Sequence, residues 1–123
     1  MTSERLRIGK LGEAEAGRRL EQAGYEIRSR NWRCRSGEID IVARQGDTFV
    51  FVEVRSRGVA SGARYGTAAE SVDFRKQAKV RGIAQLYLQQ HRLHDVRVRF
   101  DVIAITVGKD EGIESYTHYE AAF

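Results

Sequence analysis

The 123-residue chain has no proline, one cysteine, one tryptophan and three histidines. A lone cysteine excludes an internal disulfide framework and suits a reducing compartment. His91 and His94 have no matching pair at zinc-ligand spacing, because Cys34 and His118 stand apart, so no zinc site is expected. No low-complexity or repeated segment interrupts the chain. Long apolar runs are missing too: residues 49–52 and 102–105 are the longest clear ones, far short of the ~20 that a membrane span needs. The opening MTSERLRIGK shows no apolar signal region, so a cytoplasmic protein without membrane contact is expected. There is no G-K-[ST] phosphate loop; Gly9, Gly12 and Gly17 lie inside a helical pattern.

What is present is one core's worth of apolar residues, 41%, with 31% charged residues of both signs and a net charge of +4. That balance argues against disorder. Of the 21 basic residues 17 are arginine, whose planar fork suits phosphate oxygens and whose face stacks on bases. Residues 1–64 carry 13 basic and 9 acidic side chains, and residues 65–123 carry 8 of each, so the excess lies in the first half. Arg28, Arg30, Arg33 and Arg35 fall within eight residues, interleaved with Trp32 and preceded by Tyr25. Basic residues mixed with aromatics are a footprint of nucleic-acid binding; a solvated charged face is the plain alternative.

Residues 8–23 read as a helix with Ile8, Gly12, Ala16, Leu20 and Ala23 on one stripe and Gly24 as its stop. Strand signals follow at 25–33, 38–44 (EIDIVAR) and 49–57 (FVFVEVRSR), with a turn at Ser36-Gly37 and a four-residue loop at 45–48. In 38–44, alternation puts Ile39, Ile41 and Ala43 on one side and Glu38, Asp40 and Val42 on the other. Residues 58–69 read as a flexible loop. A second helix, capped by Ser71 or Asp73, runs to about Gln90 with Val80, Ile83, Ala84, Tyr87 and Leu88 inward. Strands at 96–105 and 113–119 complete the order α β β β α β β, an α/β or α+β arrangement around a mixed sheet.

One constellation in this pattern can carry chemistry. If Asp40 pairs opposite Glu53 in the hairpin, both carboxylates share a face, and period two adds Arg55 to it. Two like charges so placed repel unless a cation sits between them. Mg²⁺ or Mn²⁺ takes one or two protein carboxylates plus phosphate, activates a bound water and offsets phosphate charge; the Val54 carbonyl is a further candidate oxygen. Glu13 is a third acid, set on the first helix between Gly9 and Gly17, two glycines that suggest a close approach of backbone or ligand. Glu38 is a ligand candidate or else a partner of Arg33 or Arg35. Asp101 reads as a salt-bridged edge residue, and His91 as a helix cap.

The motifs GKLGEAEAGRRLEQAGYEIRSRNWR, RSGEIDIVAR, GDTFVFVEVRSR, YGTAAESVDFRKQAKV and VRFDVIAI resemble the YraN-like family of small bacterial proteins, over residues 9–123. The resemblance implies a single domain, 1–123, with a restriction-endonuclease-like fold similar to Holliday-junction resolvases. It implies a metal-dependent DNA endonuclease, acting on branched or flapped DNA, with a homodimer among the expected assemblies. Glu13, Asp40 and Glu53 would then bind Mg²⁺ or Mn²⁺. Arg55 would stand where the family usually has lysine, and Lys76 would match a recurrent lysine, followed by Gln77. Arginine cannot act as a base, so Arg55 is assigned to the scissile phosphate. Arg28, Arg30, Arg33, Arg35, Arg57, Lys76 and Gln77 form the expected nucleic-acid contacts. The alternatives are a non-catalytic nucleic-acid binder on a degenerate nuclease fold, and an assembly protein whose basic face meets an acidic partner.

Overall fold

The computed structural model describes residues 2–59 and 72–123. Helix α1, Thr2–Gln22, begins six residues before the expected position 8. Its apolar stripe starts at Ile8, but the polar lead-in carries good helix formers and an acid, Glu4, in the first turn, where it complements the helix dipole. The helix ends as expected at Gly24, which adopts φ +95°. The Tyr25 N–H donates to the Leu20 carbonyl at 2.9 Å and the Gly24 N–H to the Glu21 carbonyl at 3.0 Å, the paired bonds of a Schellman stop. Tyr25 and Leu20 are then buried in the same apolar cluster.

Five strands follow: β1 Glu26–Cys34, β2 Gly37–Gln45, β3 Thr48–Gly58, β4 Arg97–Val107 and β5 Ile113–Tyr119, with α2 Phe74–Gln90 between β3 and β4. The α/β class and the order α β β β α β β are as read from the sequence. The sheet order is β1-β2-β3-β4-β5, with β3 and β4 parallel and every other pair antiparallel. The β2–β3 loop is shorter than expected. Gln45 pairs with Thr48, which leaves Gly46 and Asp47 as a two-residue turn, with φ +62° at Gly46; a positive φ there lets the turn follow the strand twist. Residues 60–69 of the expected flexible loop lie outside the described residues. Asp73, not Ser71, is the N-cap of α2: its carboxylate accepts the Lys76 N–H at 2.9 Å.

The helices cover opposite faces of the sheet. Ala16 and Leu20 of α1 pack on Ile41, Ala43, Val50, Val52, Ile103 and Ile105. Val80, Ile83, Ala84 and Tyr87 of α2 pack on Val42, Phe49, Phe51 and Phe100. Alternate β3 residues thus enter alternate cores, and each large side chain buried contributes about 1.5–3 kcal/mol. Gly12 is the glycine that fits α1 to the sheet, since a Cβ there would collide with the Ser56 side chain. Gly17 makes room for the Arg30 guanidinium, and nothing approaches Gly9 within 4 Å, so neither glycine is met by the backbone or ligand expected from the sequence.

Strict alternation fails in β2. Ile41 belongs to the α1-side core, as expected for its side, yet Ile39 packs with Val42 on the α2 side. Their cross-strand partners do the same: Arg30, opposite Ile41, lies over Gly17 of α1, while Trp32, opposite Ile39, joins the α2-side core. The ribbon turns over between these pairs, at Asn31, whose φ is +49°, and Asp40. Asparagine is one of the few side-chain-bearing residues that tolerates this conformation. No helix among the described residues is long and apolar enough to cross a membrane.

Candidate functional site

The β2–β3 ladder ends at Ile41 and Val52, one step short of Asp40 and Glu53. β3 continues past this point on β4 alone, with Glu53 opposite Val102 and Arg55 opposite Ala104. A backbone N–H left where two strands part needs another acceptor. The Asp40 carboxylate supplies it, taking the Val54 N–H at 2.8 Å. The two acids therefore meet as expected, though at the end of the ladder and not within it. Their carboxyl groups are near enough that Glu53 perturbs Asp40, and Glu53 is only 5% exposed.

This contact has an electrostatic signature. Burial, then the Glu53 charge, pushes the Asp40 carboxyl up to about 8; the Val54 N–H partly opposes this, and the charge of Glu13 adds to it. Like charges this close do not both ionise freely, which favours the neutral form of Asp40.

The turned-over ribbon brings groups from both faces to Asp40. From the α1 side comes Glu13, whose Oε1 accepts from the Asn31 Nδ2 at 3.2 Å. From the α2 side comes Lys76, with Nζ 3.1 Å from the Glu53 Oε2. Lys76 thus reaches the acids. Gln77 instead turns back to the Val72 carbonyl at 2.9 Å. Arg55 is half-buried, and among the described residues its buried Nε has no hydrogen-bond partner. Arg57 is half-buried further along β3. Asn31 escaped the sequence reading; its one available signal is that asparagine tolerates positive φ, and no spacing marks it.

Elsewhere the predicted residues separate. Arg28, Arg30, Arg33 and Arg35 are all exposed, and three lie near acids: Arg28 3.5 Å from Glu26, Arg30 3.9 Å from Glu21 and Arg33 3.1 Å from Glu38. Glu38 is accordingly a partner of Arg33, one of its two expected roles. His91 caps α2, its N–H and Nδ1 both directed at the Tyr87 carbonyl. Cys34 is a free, half-buried thiol beside the α2-side core.

Asp101 is salt-bridged as expected, by Arg99, but it is no edge residue. Strand β4 is interior, flanked by β3 and β5, and Asp101 is fully buried. Its Oδ1 accepts from the Arg99 Nε at 2.9 Å and the Ala121 N–H at 3.0 Å; its Oδ2 takes the Arg99 Nη2 at 2.9 Å and meets the His118 Nε2 at 2.7 Å. Burial pushes this carboxyl up, but the bonds from His118, Arg99 and Ala121 outweigh it, and the result lies below the ordinary value. The Arg99 Nη2 also donates to the Tyr25 hydroxyl at 2.7 Å.

Among the described residues no three of His, Cys, Asp and Glu are grouped so that they alone would hold a metal ion. A cation at this site would rest on the Asp40–Glu53 pair, and the structure offers two oxygen-bearing groups in contact, the number that Mg²⁺ commonly takes from protein.

A family profile described as "Uncharacterised protein family UPF0102" matches residues 12–105, the stretch that contains Glu13, Asp40, Glu53 and Lys76. The chain belongs to this family. UPF0102 proteins similar to it include one from Syntrophus aciditrophicus, 49% identical over 110 residues, covering 89% of this chain and 84% of that one. Another, from Moorella thermoacetica, is 44% identical over 123 residues and covers both chains fully. A third, from Parafrankia sp., is 45% identical over 117 residues, 95% of this chain and 96% of that one. The family resemblance carried by the GEID and VFVEV motifs is thereby borne out.

Proposed function

We propose that this UPF0102 protein is a divalent-metal-dependent nuclease with a fold of the restriction-endonuclease type, hydrolysing phosphodiester bonds in DNA. The observation that carries the reading is the Asp40–Glu53 contact where β2 and β3 part. Two carboxyls drawn out of water side by side are unfavourable by themselves and favourable around a hard cation. When bound, Mg²⁺ or Mn²⁺ supplies an activated water and offsets charge on the phosphate. Asp40 and Glu53 would hold it, and Glu13, oriented by Asn31, is the third acid within reach of its field. Asp40 is itself fixed by the Val54 N–H, so the ligand oxygen needs little reorganisation. Arg55, whose buried Nε–H has no partner among the described residues, would turn its guanidinium to a phosphate oxygen; it stabilises charge and removes no proton. Lys76, a flexible ammonium on Glu53, is placed to exchange that partner for the substrate phosphate.

The Lys76–Glu53 ion pair also favours a second reading, in which the ammonium replaces the metal and the protein binds nucleic acid without cleaving it. One experiment separates the two. Purified protein is incubated with duplex, flapped and four-way-junction oligonucleotides, with Mn²⁺ or with chelator. The nuclease reading expects Mn²⁺-dependent nicks that Asp40→Asn abolishes, together with calorimetric Mn²⁺ binding lost in the same variant. Retention without nicking, falling steeply with salt and indifferent to Asp40→Asn, would establish the binder instead.

A further inference from the structure

Helix α2 carries Arg75, Lys76, Lys79 and Arg81 in its N-terminal half and no acidic residue along its length. Positive charge in that half opposes the helix dipole, whose positive end lies there; among the described residues the Asp73 cap and the Glu53 partner of Lys76 answer it. The β1 arginines are matched by Glu26, Glu21 and Glu38. By contrast, among the described residues Arg75, Lys79 and Arg81 have no acidic partner within 4.0 Å. Lys79 leans over Gly37 at the start of β2, and Arg81 lies over the Phe100 and Phe123 rings. In the same first turn Phe74 is 87% exposed. At 100° per residue, Phe74 points outward between Arg81 on one flank and Arg75 and Lys79 on the other, while Lys76 points inward to Glu53. An aromatic face open to water and flanked by cations is the combination that nucleic-acid binding uses.

We propose that this half of α2 binds an unpaired stretch of nucleic acid, with Phe74 stacking on an exposed base and Arg75, Lys79 and Arg81 lying along phosphates. Basic side chains tracking a backbone and an aromatic face for a base are the chemistry of single-strand recognition. A base inside a duplex offers no free face, so this surface selects substrates with an unpaired segment next to the cleaved bond. The inference deepens the nuclease reading by naming its substrate class, and its test stands apart from cleavage.

Fluorescence anisotropy with a labelled single strand and a blunt duplex of the same sequence, in chelator, measures binding alone. Wild-type protein is expected to prefer the single strand and to quench 2-aminopurine placed within it. Phe74→Ala is expected to weaken single-strand binding about tenfold and abolish the quench, leaving the duplex unchanged, and Phe74→Trp to restore both. The double variant Arg75→Gln/Lys79→Gln is expected to reduce the log–log salt slope by about 1.4, the value for two phosphate contacts on a single strand. If wild-type protein binds no oligonucleotide, or Phe74→Ala affects neither single-strand affinity nor the quench, the proposal is overturned; a protein-binding role for the ring would give that second result. Nicking that survives Phe74→Ala with unchanged substrate preference would sink the surface and keep the nuclease. Single-strand binding with no nicking under any metal would do the reverse.

Discussion

Asp40 and Asp101 are two acids withdrawn from water on one sheet, and they have opposite electrostatics. Asp101 is surrounded by donors: Arg99 with two bonds, the Ala121 N–H and His118. Its charge is satisfied, and its carboxyl lies below the ordinary value. Asp40 has one backbone donor and an acid for a neighbour, and its carboxyl is raised. Burial raises both; the partners decide the sign. Asp101 therefore clamps the chain after β5 onto β4, whereas Asp40 is held in a state that a cation would relieve. Perturbation by like charge in a partly open site points to function, and perturbation by a completed donor set points to architecture.

The largest test of this contrast is Asp101→Asn. Removing the charge leaves the half-buried Arg99 guanidinium with only the exposed Glu120 carboxylate, 3.7 Å away, as counter-ion, a change that approaches the loss of about 3–5 kcal/mol when a buried pair is broken. Urea unfolding at pH 7 is expected to show that loss. The stability that wild-type Asp101 contributes is present above its unfolded value near 3.8 and disappears as pH falls through its lower folded value. The gap between wild type and Asp101→Asn should therefore close below about pH 4.

Asp40→Asn is expected to do the opposite. A carboxyl raised in the folded state costs nothing below its unfolded value near 3.8, and its cost grows as pH climbs toward about 8. In metal-free buffer the variant should match wild type at pH 4 and exceed its stability by about 1–2 kcal/mol at pH 8, the conversion of the shift being reduced by relaxation and water at the site. Thermal melts across that range decide it. A variant less stable than wild type at pH 8 would show that the Val54 hydrogen bond outweighs the repulsion. The smallest effect belongs to Lys76→Met, which removes a partly exposed cation from Glu53. A loss below about 1 kcal/mol at pH 8 is expected, since solvent screens the pair.

The periodicity of the chain revealed much of this architecture. Val80, Ile83, Ala84 and Tyr87 recur at helical spacing and are buried together, and FVFVEV alternates into two cores. The meeting of Asp40 with Glu53 followed from register, because Val42 does stand opposite Phe51 and Arg44 opposite Phe49. What periodicity could not convey was its own interruption. One left-handed residue, Asn31, moves Ile39 to the other face, and no pattern in the flanking residues announces a backbone angle. Asp101 was misplaced for a related reason. Strand order decides whether a strand is an edge, and β4 becomes interior only because β3 pairs with it in parallel across the intervening helix. The charge of α2 was hidden by arithmetic: residues 65–123 sum to zero, yet the helix within them is wholly basic.

The two-residue turn at Gly46-Asp47 has a consequence for the order of assembly. It joins β2 to β3 over the shortest of loops, so the acids at the far ends of that hairpin meet through local closure, at little entropic cost. Lys76 arrives on a helix that docks together with the parallel β3–β4 ladder, a non-local and slower event. During folding the two acids are therefore expected to come together before their ammonium does. Pulse-labelled hydrogen exchange is expected to protect the β2–β3 amides first and those of α2 later, with mild acid speeding the first step, since there the nascent hairpin brings together neutral groups.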